Sequence, residues 1–415
     1  MRLLHVISSM DPQGGGVCQA VRSMIAGTCG SGFVSEVVCL DPEDAEFLVH
    51  DPFVVNALGP SVGPWLYGKM LQSWLFENLP RFDVVIIHGM WQYHGYAVRK
   101  ALKRLLRNGR AAPRCFVMPH GMLDPYFQRD PSRRTKAIRN WIYWKLVEGE
   151  VVNRADGLLF TCVEEMLLAR QTFRSYRVTN ERVVGLGVEE PPPYLPAMGS
   201  AFRLQCPELH DRPYLLFLSR IHPKKGVNLL VKAYVQLMQE HLGSKSFSTC
   251  DHSLTIPDLV IAGPLDSDYA AEVQQLAIQL LSSSLQTQNR DPKIPSIHFP
   301  GMLRGDAKWG AFYGCEAFVL PSHQENFGIA VVEALACGKP VLISDKVNIW
   351  REIVDGGGGF AAVDDAESTL ALLRRHLDLN TEARVDMGGR ALDCFRKNFQ
   401  VSAAAARMAK ALAAC

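Results

Sequence analysis

Two glutamates eight positions apart, Glu325 and Glu333, are the residues in this sequence best placed to do chemistry. Glu325 follows the apolar run Ala317–Leu320, which predicts a buried strand, and Glu333 lies on an apolar helical run. A loop at the carboxyl end of a parallel strand is where open α/β sheets bind ligands. The amides at the start of this helix favour an anion such as a diphosphate; they belong to Asn326, Phe327 and Gly328.

A basic loop follows the apolar run Tyr214–Leu218, a second predicted strand, and it carries Arg220, Lys224 and Lys225. Arginine can fork onto two phosphate oxygens, and lysine adds a point charge. A strand, a basic loop and then a helix start suit a diphosphate, whereas a solvated basic loop is the alternative interpretation.

Three weaker patterns follow other predicted strands. Gly14–Gly16 permits close backbone approach to a ligand, although it also fits a plain tight turn, and it is not a Gly-x-Gly-x-x-Gly nicotinamide signature. His120, next to Gly121, follows the strand Arg114–Val117 and is favoured as functional. His88 and His94 follow another strand, and they fit an acceptor side or a structural role equally well.

The glutamate pair, the adjoining Phe327-Gly328 and the Gly338-x-Pro340-Val341 segment resemble the Glu-x7-Glu motif of retaining GT-B glycosyltransferases, especially glycosyltransferase family 4. The resemblance covers nearly the whole chain and is most specific in the second half. It implies an α/β fold of two Rossmann-like parallel-sheet domains facing across a cleft. It also implies transfer of a sugar from a nucleoside-diphosphate sugar to a hydroxyl with retention, by front-face displacement assisted by the departing phosphate.

The resemblance also implies roles for residues. The first glutamate, Glu325, would bind donor-sugar hydroxyls and the second, Glu333, the ribose. Arg220 and Lys225, rather than Lys224, would neutralise the leaving diphosphate. The implied catalytic residues are His120, Arg220, Lys225 and Glu325. The implied donor-binding residues are Gly15, Gly16, Gly301, Met302, Leu303, Asn326, Phe327, Gly328 and Glu333.

No cofactor or required metal is expected, because the substrate that the resemblance implies is a nucleotide sugar and the basic loop supplies positive charge. Asp266-Ser267-Asp268 is formally an Asp-x-Asp pair, which binds a cation in the other major glycosyltransferase fold. Since it precedes a predicted helix, Asp268 is favoured as an N-cap. The eleven cysteines show no metal-binding spacing and are expected as free thiols.

Short apolar runs alternate with helical patterns along the chain, which predicts parallel sheets with crossover helices. The proline-rich stretch 189–200 reads as a linker. We therefore expect two domains, at 1–188 and 201–385, and the family resemblance implies that the first is the acceptor side and the second binds the nucleotide sugar. The resemblance also implies that the helices of 386–415 pack back on the first domain. Polar stretches at 243–256 and 282–296 read as surface insertions.

Composition limits the partners. A net charge of +2 argues against bulk nucleic-acid binding, and no apolar run approaches the ~20 residues that span a bilayer. We expect a cytoplasmic protein, and the resemblance implies that it meets a nucleotide-sugar donor and a glycan or lipid-linked acceptor, in polysaccharide or glycolipid assembly. The basic segment 129–146 fits both a peripheral helix on the inner membrane face and a core-packed helix with a solvated basic side.

Other functions stay open at this point. A sugar-nucleotide epimerase or a phosphorylase can share the architecture. A pyridoxal-dependent phosphorylase would need a Schiff-base lysine in the second half of the chain, and no sequence pattern identifies one. A binding protein without catalysis is the alternative from another class. The joint presence of His120, Arg220, Lys225 and Glu325 argues against that alternative.

Overall fold

The computed structural model describes residues 1–244, 256–284 and 294–413. The chain forms two compact units, one of Met1–Glu189 with Gln400–Cys415 and one of Glu190–Phe399. The two predicted surface insertions lie for the most part outside the described residues. No helix in the described ranges is long and apolar enough to cross a membrane.

The first unit is built on a parallel sheet of seven strands in the order β3-β2-β1-β4-β5-β6-β7. Central strands such as β4 are buried on both faces, which explains their continuous β-branched runs. The strands are β1 (Arg2–Val6), β2 (Val34–Cys39), β3 (Val54–Ala57), β4 (Val84–His88), β5 (Arg114–Met118), β6 (Gly157–Phe160) and β7 (Glu181–Val183).

Helices connect these strands in the crossover manner that parallel pairing requires. They are α1 (Gly16–Thr28), α2 (Leu71–Asn78), α3 (Tyr93–Arg107), α4 (Tyr126–Arg129), α5 (Arg134–Tyr143), α6 (Gly149–Asn153) and α7 (Val163–Thr172). A π-helical turn, Trp144–Glu148, joins α5 to α6. On α3, buried Ala97, Ala101 and Leu105 recur at helical spacing and form its core face.

The second unit has a parallel sheet of six strands in the order β10-β9-β8-β11-β12-β13. Its strands are β8 (Tyr214–Leu218), β9 (Asp258–Ala262), β10 (Ile297–Gly301), β11 (Ala317–Leu320), β12 (Val341–Ser344) and β13 (Gly359–Ala362). Its helices are α8 (Pro196–Gln205), α9 (Val227–Ser244), α10 (Asp268–Ser284), α11 (Gly305–Gly314), α12 (Ile329–Ala336), α13 (Trp350–Asp355), α14 (Ala366–Leu377) and α15 (Thr381–Asn398). Two parallel α/β sheets confirm the predicted fold class.

The last helix, α16 (Val401–Ala413), belongs to the first unit. It packs on α1, where Gly27 leaves room for the Val401 side chain, and its Leu412 carbonyl accepts a hydrogen bond from Arg114 at 2.7 Å. The return to the first unit thus begins at Gln400 and not at 386. The preceding helix α15 stays with the second unit because it packs on α12 and α13.

The interdomain stretch also differs in detail from the expectation. Helix α8 begins at Pro196, inside the predicted linker, because proline is well suited to the first helical position. It packs closely on α11, where a side chain at Gly310 would meet the Met198 carbonyl oxygen at 2.0 Å. The extended proline-rich part is therefore limited to 190–195.

Candidate functional site

The loop after β8 in the second unit packs directly on the loop after β11. Gly226 ends a short 3-10 turn with a φ of 65°, and a Cβ there would lie 2.0 Å from the Pro321 carbonyl oxygen. Glycine is required on both counts. The Ser322 hydroxyl donates to the Lys224 carbonyl oxygen at 2.9 Å, and the His323 amide donates to the same oxygen at 2.8 Å. The sequence therefore brings the basic loop against the glutamate loop.

Two lysines of the basic loop reach side chains of the glutamate loop. The Lys225 ammonium forms an ion pair with the Glu325 carboxylate. The Lys224 ammonium donates to Gln324 Oε1 at 2.5 Å. Arg220 is exposed and forms no ion pair among the described residues. The structure thus joins Lys225 and Glu325, which the sequence placed a hundred positions apart.

The backbone holds Glu325 in place. Its amide donates to the Lys346 carbonyl oxygen at 2.9 Å, and its own carbonyl oxygen accepts from the Asn348 amide at 2.9 Å. Gly328 then begins α12 as an N-cap with a φ of 77°, which favours glycine. The helix starts at Ile329, so Asn326 and Phe327 belong to the preceding loop. Phe327 is buried, whereas the Glu325 carboxylate faces the basic loop.

Positive charges crowd around Lys225. Burial, followed by the charges of Arg220 and Lys224, lowers the pKa of Lys225 to about 8. The Glu325 carboxylate opposes this effect because it stabilises the ammonium. A folded protein that keeps three cations together near one contacting carboxylate has surplus positive charge at that point. Such clusters occur at functional sites and suit an anion with several oxygens.

The pKa of Lys225 predicts a pH dependence. If its ammonium binds a diphosphate, kcat/KM for the donor should be constant below pH 8 and fall about tenfold per pH unit above it. Bound diphosphate favours the ammonium and should move the corresponding fall in kcat to higher pH. Profiles of kcat/KM against pH for wild type and Lys225→Arg test this. Arginine stays protonated over this range, so the variant should not show the fall in kcat/KM above pH 8. An unchanged profile for Lys225→Arg would assign the pH dependence to another group.

Glu333 points from α12 toward α11. Its Oε1 accepts from the Lys308 ammonium at 2.6 Å, and that ammonium also lies 4.5 Å from the Trp309 ring centroid. Burial raises the pKa of Glu333, and the Lys308 charge counteracts the rise. A largely buried carboxylate held by one lysine keeps further acceptor capacity, which suits vicinal hydroxyls.

Glu333→Gln should raise the donor KM by roughly 10- to 100-fold and change kcat little. Ribose hydroxyls are bound equally in ground and transition states, so their loss reduces uniform binding. Removing a hydrogen bond to a charged group typically costs about 1.5–3 kcal/mol. Steady-state kinetics on the donor measure both constants. A fall in kcat with an unchanged KM would contradict the assignment.

Gly301 ends β10 in the same unit, and Met302 and Leu303 follow it. Gly301 has a φ of 81°, and its carbonyl oxygen accepts from the Gly263 amide at 2.9 Å. Leu303 is buried and anchors the turn, whereas the Met302 side chain is exposed. The structure therefore places this turn at the carboxyl end of a strand.

The remaining predicted residues lie in the first unit. Gly15 has a φ of 122° and Gly16 begins α1. A Cβ at either glycine would meet nothing within 4 Å, so the backbone there is open to a ligand. His120 follows β5 and has a φ of 52°, a conformation that is uncommon for a residue with a side chain.

A chain of imidazoles leads from His120 into the sheet. His120 Nε2 is 3.0 Å from His88 Nδ1, and His88 Nε2 is 2.9 Å from His5 Nδ1. Burial lowers the pKa of His5 and His120 to about 4, so these rings are neutral at pH 7. His88 and His94 are each 1% exposed, which favours their structural role over direct contact with an acceptor. His94 Nε2 contacts the His88 carbonyl oxygen at 3.0 Å.

Glu165 fixes the turn that carries His120. Its carboxylate accepts from the Gly121 amide at 2.6 Å and from the Thr161 amide at 2.7 Å. Sequence reasoning missed Glu165, His5 and Lys308. Only the position of Glu165 after strand β6 gave a signal, because the contacts with Gly121, His88 and Glu333 join residues that are distant in sequence.

The expected cap of α10 is wrong by one residue. The helix begins at Asp268, and the Ser267 hydroxyl accepts from the Ala270 amide at 3.2 Å, so Ser267 is the N-cap. A hydroxyl fits the N-cap as well as a carboxylate does. Asp268 instead lies in the first turn, where its negative charge interacts favourably with the helix dipole.

Two family profiles match the chain. The profile described as Glycosyl transferases group 1 matches residues 204–392, and the profile described as Glycosyl transferase 4-like domain matches residues 15–187. The D-inositol 3-phosphate glycosyltransferase of Kineococcus radiotolerans is 28% identical over 79% of this chain and 65% of its own length. The Streptomyces avermitilis protein of the same name is 27% identical over 62% and 52%. The match thus spans between about half and two thirds of the length of these relatives.

Solved structures share the fold. HepE of Anabaena, in complex with UDP and glucose, matches with a TM-score of 0.66 and 17% identity over 100% of both chains. Sucrose-phosphate synthase from Thermosynechococcus elongatus matches with a TM-score of 0.66 and 19% identity over 99% of this chain and 97% of its own. Both similarities concern the fold. With profiles matching both units, the chain belongs to the glycosyl transferases group 1 family, glycosyltransferase family 4, and has the GT-B fold.

Proposed function

We propose that this chain is a retaining glycosyltransferase of the hexosyltransferase type, which uses a nucleoside-diphosphate sugar. The observation that carries the proposal is the ion pair of Lys225 with Glu325, on adjoining loops at the carboxyl ends of β8 and β11. Arg220 and Lys224 add positive charge beside it. One loop thus offers cations to a diphosphate, and the other offers a carboxylate to sugar hydroxyls.

The proposed reaction breaks the bond between the anomeric carbon and the diphosphate oxygen. The acceptor oxygen forms its bond on the same face of the sugar, and its proton passes to the departing phosphate. Arg220 and Lys225 stabilise the charge that grows on the leaving group, and Glu325 positions the sugar. His120 lies near the sugar in this proposal, Gly15 and Gly16 near the diphosphate or acceptor, and the Gly301–Leu303 turn at the base.

The relatives guide the choice of substrates. UDP-glucose is the first donor to examine, since a HepE structure holds it. Inositol phosphate is one acceptor to examine, since the relatives are named for it. We further propose a glycan or lipid-linked acceptor, in polysaccharide or glycolipid assembly at the cytoplasmic side of a membrane.

The decisive assay incubates the protein with a panel of nucleotide sugars and acceptors and follows both nucleotide release and the glycosylated product. The anomeric coupling constant of the product, measured by NMR, reports retention or inversion. Interconversion of the sugar without an acceptor would favour an epimerase, and phosphorolysis a phosphorylase. Donor binding without any turnover would favour the non-catalytic alternative.

Activity should survive EDTA. Arg220 and Lys225 already supply the positive charge that a divalent cation would provide to the diphosphate. We therefore expect kcat with EDTA to be within about twofold of kcat with magnesium. Complete loss, restored by manganese or magnesium, would reassign Asp266 and Asp268 as ligands.

A further inference from the structure

Helix α5 and the π-helical turn after it carry an apolar stripe that faces solvent. Four large side chains are exposed: Ile138 at 61%, Trp141 at 49%, Ile142 at 45% and Leu146 at 76%. Their spacing of three and four residues puts them on one side of the helix. The opposite side contains Asn140 and Trp144, which are both buried. The helix thus packs on its unit and still presents a second apolar side outward.

A neighbouring loop extends this surface. Trp65 lies in the segment 60–70 and makes an edge contact with the Tyr143 ring, at 5.2 Å between centroids. The exposed large side chains of the segment 60–70 are Val62, Trp65, Tyr67 and Met70. We call these four residues, with Ile138, Trp141, Ile142 and Leu146, the interfacial patch. The contact of Trp65 with Tyr143 brings the two segments side by side, and exposed apolar side chains that cluster in this way mark an interaction site.

The charges around the interfacial patch are almost all positive. Residues 129–146 contain six basic residues and one acidic residue, Asp130, and the loop 60–70 adds Lys69. The six are Arg129, Arg133, Arg134, Lys136, Arg139 and Lys145. The Lys145 ammonium lies 4.2 Å from the Trp141 ring centroid, so positive charge reaches the apolar stripe itself. The surface therefore complements a partner that is both apolar and anionic.

We propose that the interfacial patch docks on an anionic lipid bilayer. Aliphatic side chains and tryptophan would enter the boundary between headgroups and acyl chains, while lysine and arginine bind lipid phosphates. A second copy of this chain is a poorer occupant, because two patches of the same positive charge repel each other. Nucleic acid offers no apolar surface for Ile138 or Leu146.

Vesicle co-sedimentation tests the proposal on the full chain. Wild type should bind phosphatidylglycerol-containing vesicles, bind less at high salt, and bind phosphatidylcholine vesicles weakly. Arg134→Glu with Lys145→Glu should lower the partition coefficient roughly a hundredfold, and Ile138→Ser with Ile142→Ser about tenfold. Lys103→Glu with Arg107→Glu on α3, and the exposed Leu204→Ser on α8, are matched controls that should bind as wild type does.

Four results would overturn the proposal. The first two are no binding of wild type to anionic vesicles and equal losses in the controls and the patch variants. The others are vesicle-independent self-association that the patch variants abolish, and binding only to an acidic protein or polymer. Nucleoside-diphosphate binding by the same variants should be unchanged, because none of the residues assigned to donor binding belongs to the interfacial patch. The lipid proposal and the proposed function therefore fail independently.

Discussion

Arg220→Ala should lower kcat/KM for the donor roughly 10²–10³-fold. One preorganised charged contact to a leaving group contributes about 2.7–4 kcal/mol to the transition state. Arg220 is exposed and lacks an ion-pair partner among the described residues, so its guanidinium is available to a ligand. Steady-state kinetics on the identified donor give the constants.

Stability separates this functional role from a structural one. Arg220 is one of the cations whose repulsion lowers the pKa of Lys225, so its removal should leave the melting temperature unchanged or raise it. Lys232 is an exposed cation on α9 of the same unit. Lys232→Ala is therefore the matched control and should change neither kcat/KM nor the melting temperature. If Arg220→Ala kept wild-type kcat/KM, the diphosphate assignment would be wrong.

Glu325→Gln should lower kcat roughly 10²-fold without unfolding the protein. A carboxylate accepts hydrogen bonds at both oxygens, whereas an amide accepts at one and presents a mismatched donor. The substitution also removes the negative charge beside Lys225. The loop should keep its shape, because backbone hydrogen bonds to Lys346 and Asn348 hold position 325. Kinetics and a thermal melt on one preparation measure both effects.

A second carboxylate in the same unit provides the comparison. Glu316 pairs with Arg384 at 2.9 Å, away from both loops, so Glu316→Gln should affect stability alone. The double variant Glu325→Gln with Lys225→Ala should lose less than the product of the single losses, since the two residues act as a pair. A lower melting temperature with unchanged kcat and KM for Glu325→Gln would make Glu325 structural.

The central strands can be predicted from the sequence because they are buried on both faces. Gly157–Phe160, Tyr214–Leu218 and Ala317–Leu320 are uninterrupted apolar runs between turn signals, and the structure has these bounds. The sequence pattern predicts neither Val54–Ala57 nor Gly359–Ala362, each of which lies at one edge of its sheet. Most residues of these two edge strands are partly exposed, so they lack a continuous apolar run.

Helix boundaries depended on contacts that the local sequence does not show. The pattern 64–78 predicts one helix, but α2 begins at Leu71 because the segment before it packs on Leu40, where Gly68 leaves no room for a Cβ. The pattern 135–153 predicts another, and the π-helical turn at Trp144–Glu148 divides it. That turn buries Trp144 against the Phe173 ring, at 4.3 Å between centroids.

The candidate site could be located but not assembled from the sequence. Strand ends placed Arg220, Lys225 and Glu325 at one edge of a sheet, since parallel strands end together. The pairing of Lys308 with Glu333 depends on how α11 packs beside α12, and no spacing rule predicts it. The imidazole chain from His120 likewise joins three strands through their order in the sheet.

Calorimetric titration of UDP and GDP tests the central claim most directly, because it needs no knowledge of the acceptor. Wild type and the Lys232→Ala control should bind one of these nucleotides with equal affinity. Arg220→Ala with Lys225→Ala should weaken that binding at least about a hundredfold, since hydrogen bonds to charged groups contribute about 1.5–3 kcal/mol each. Failure of wild type to bind either nucleotide, or equal binding by the double variant, would contradict the account.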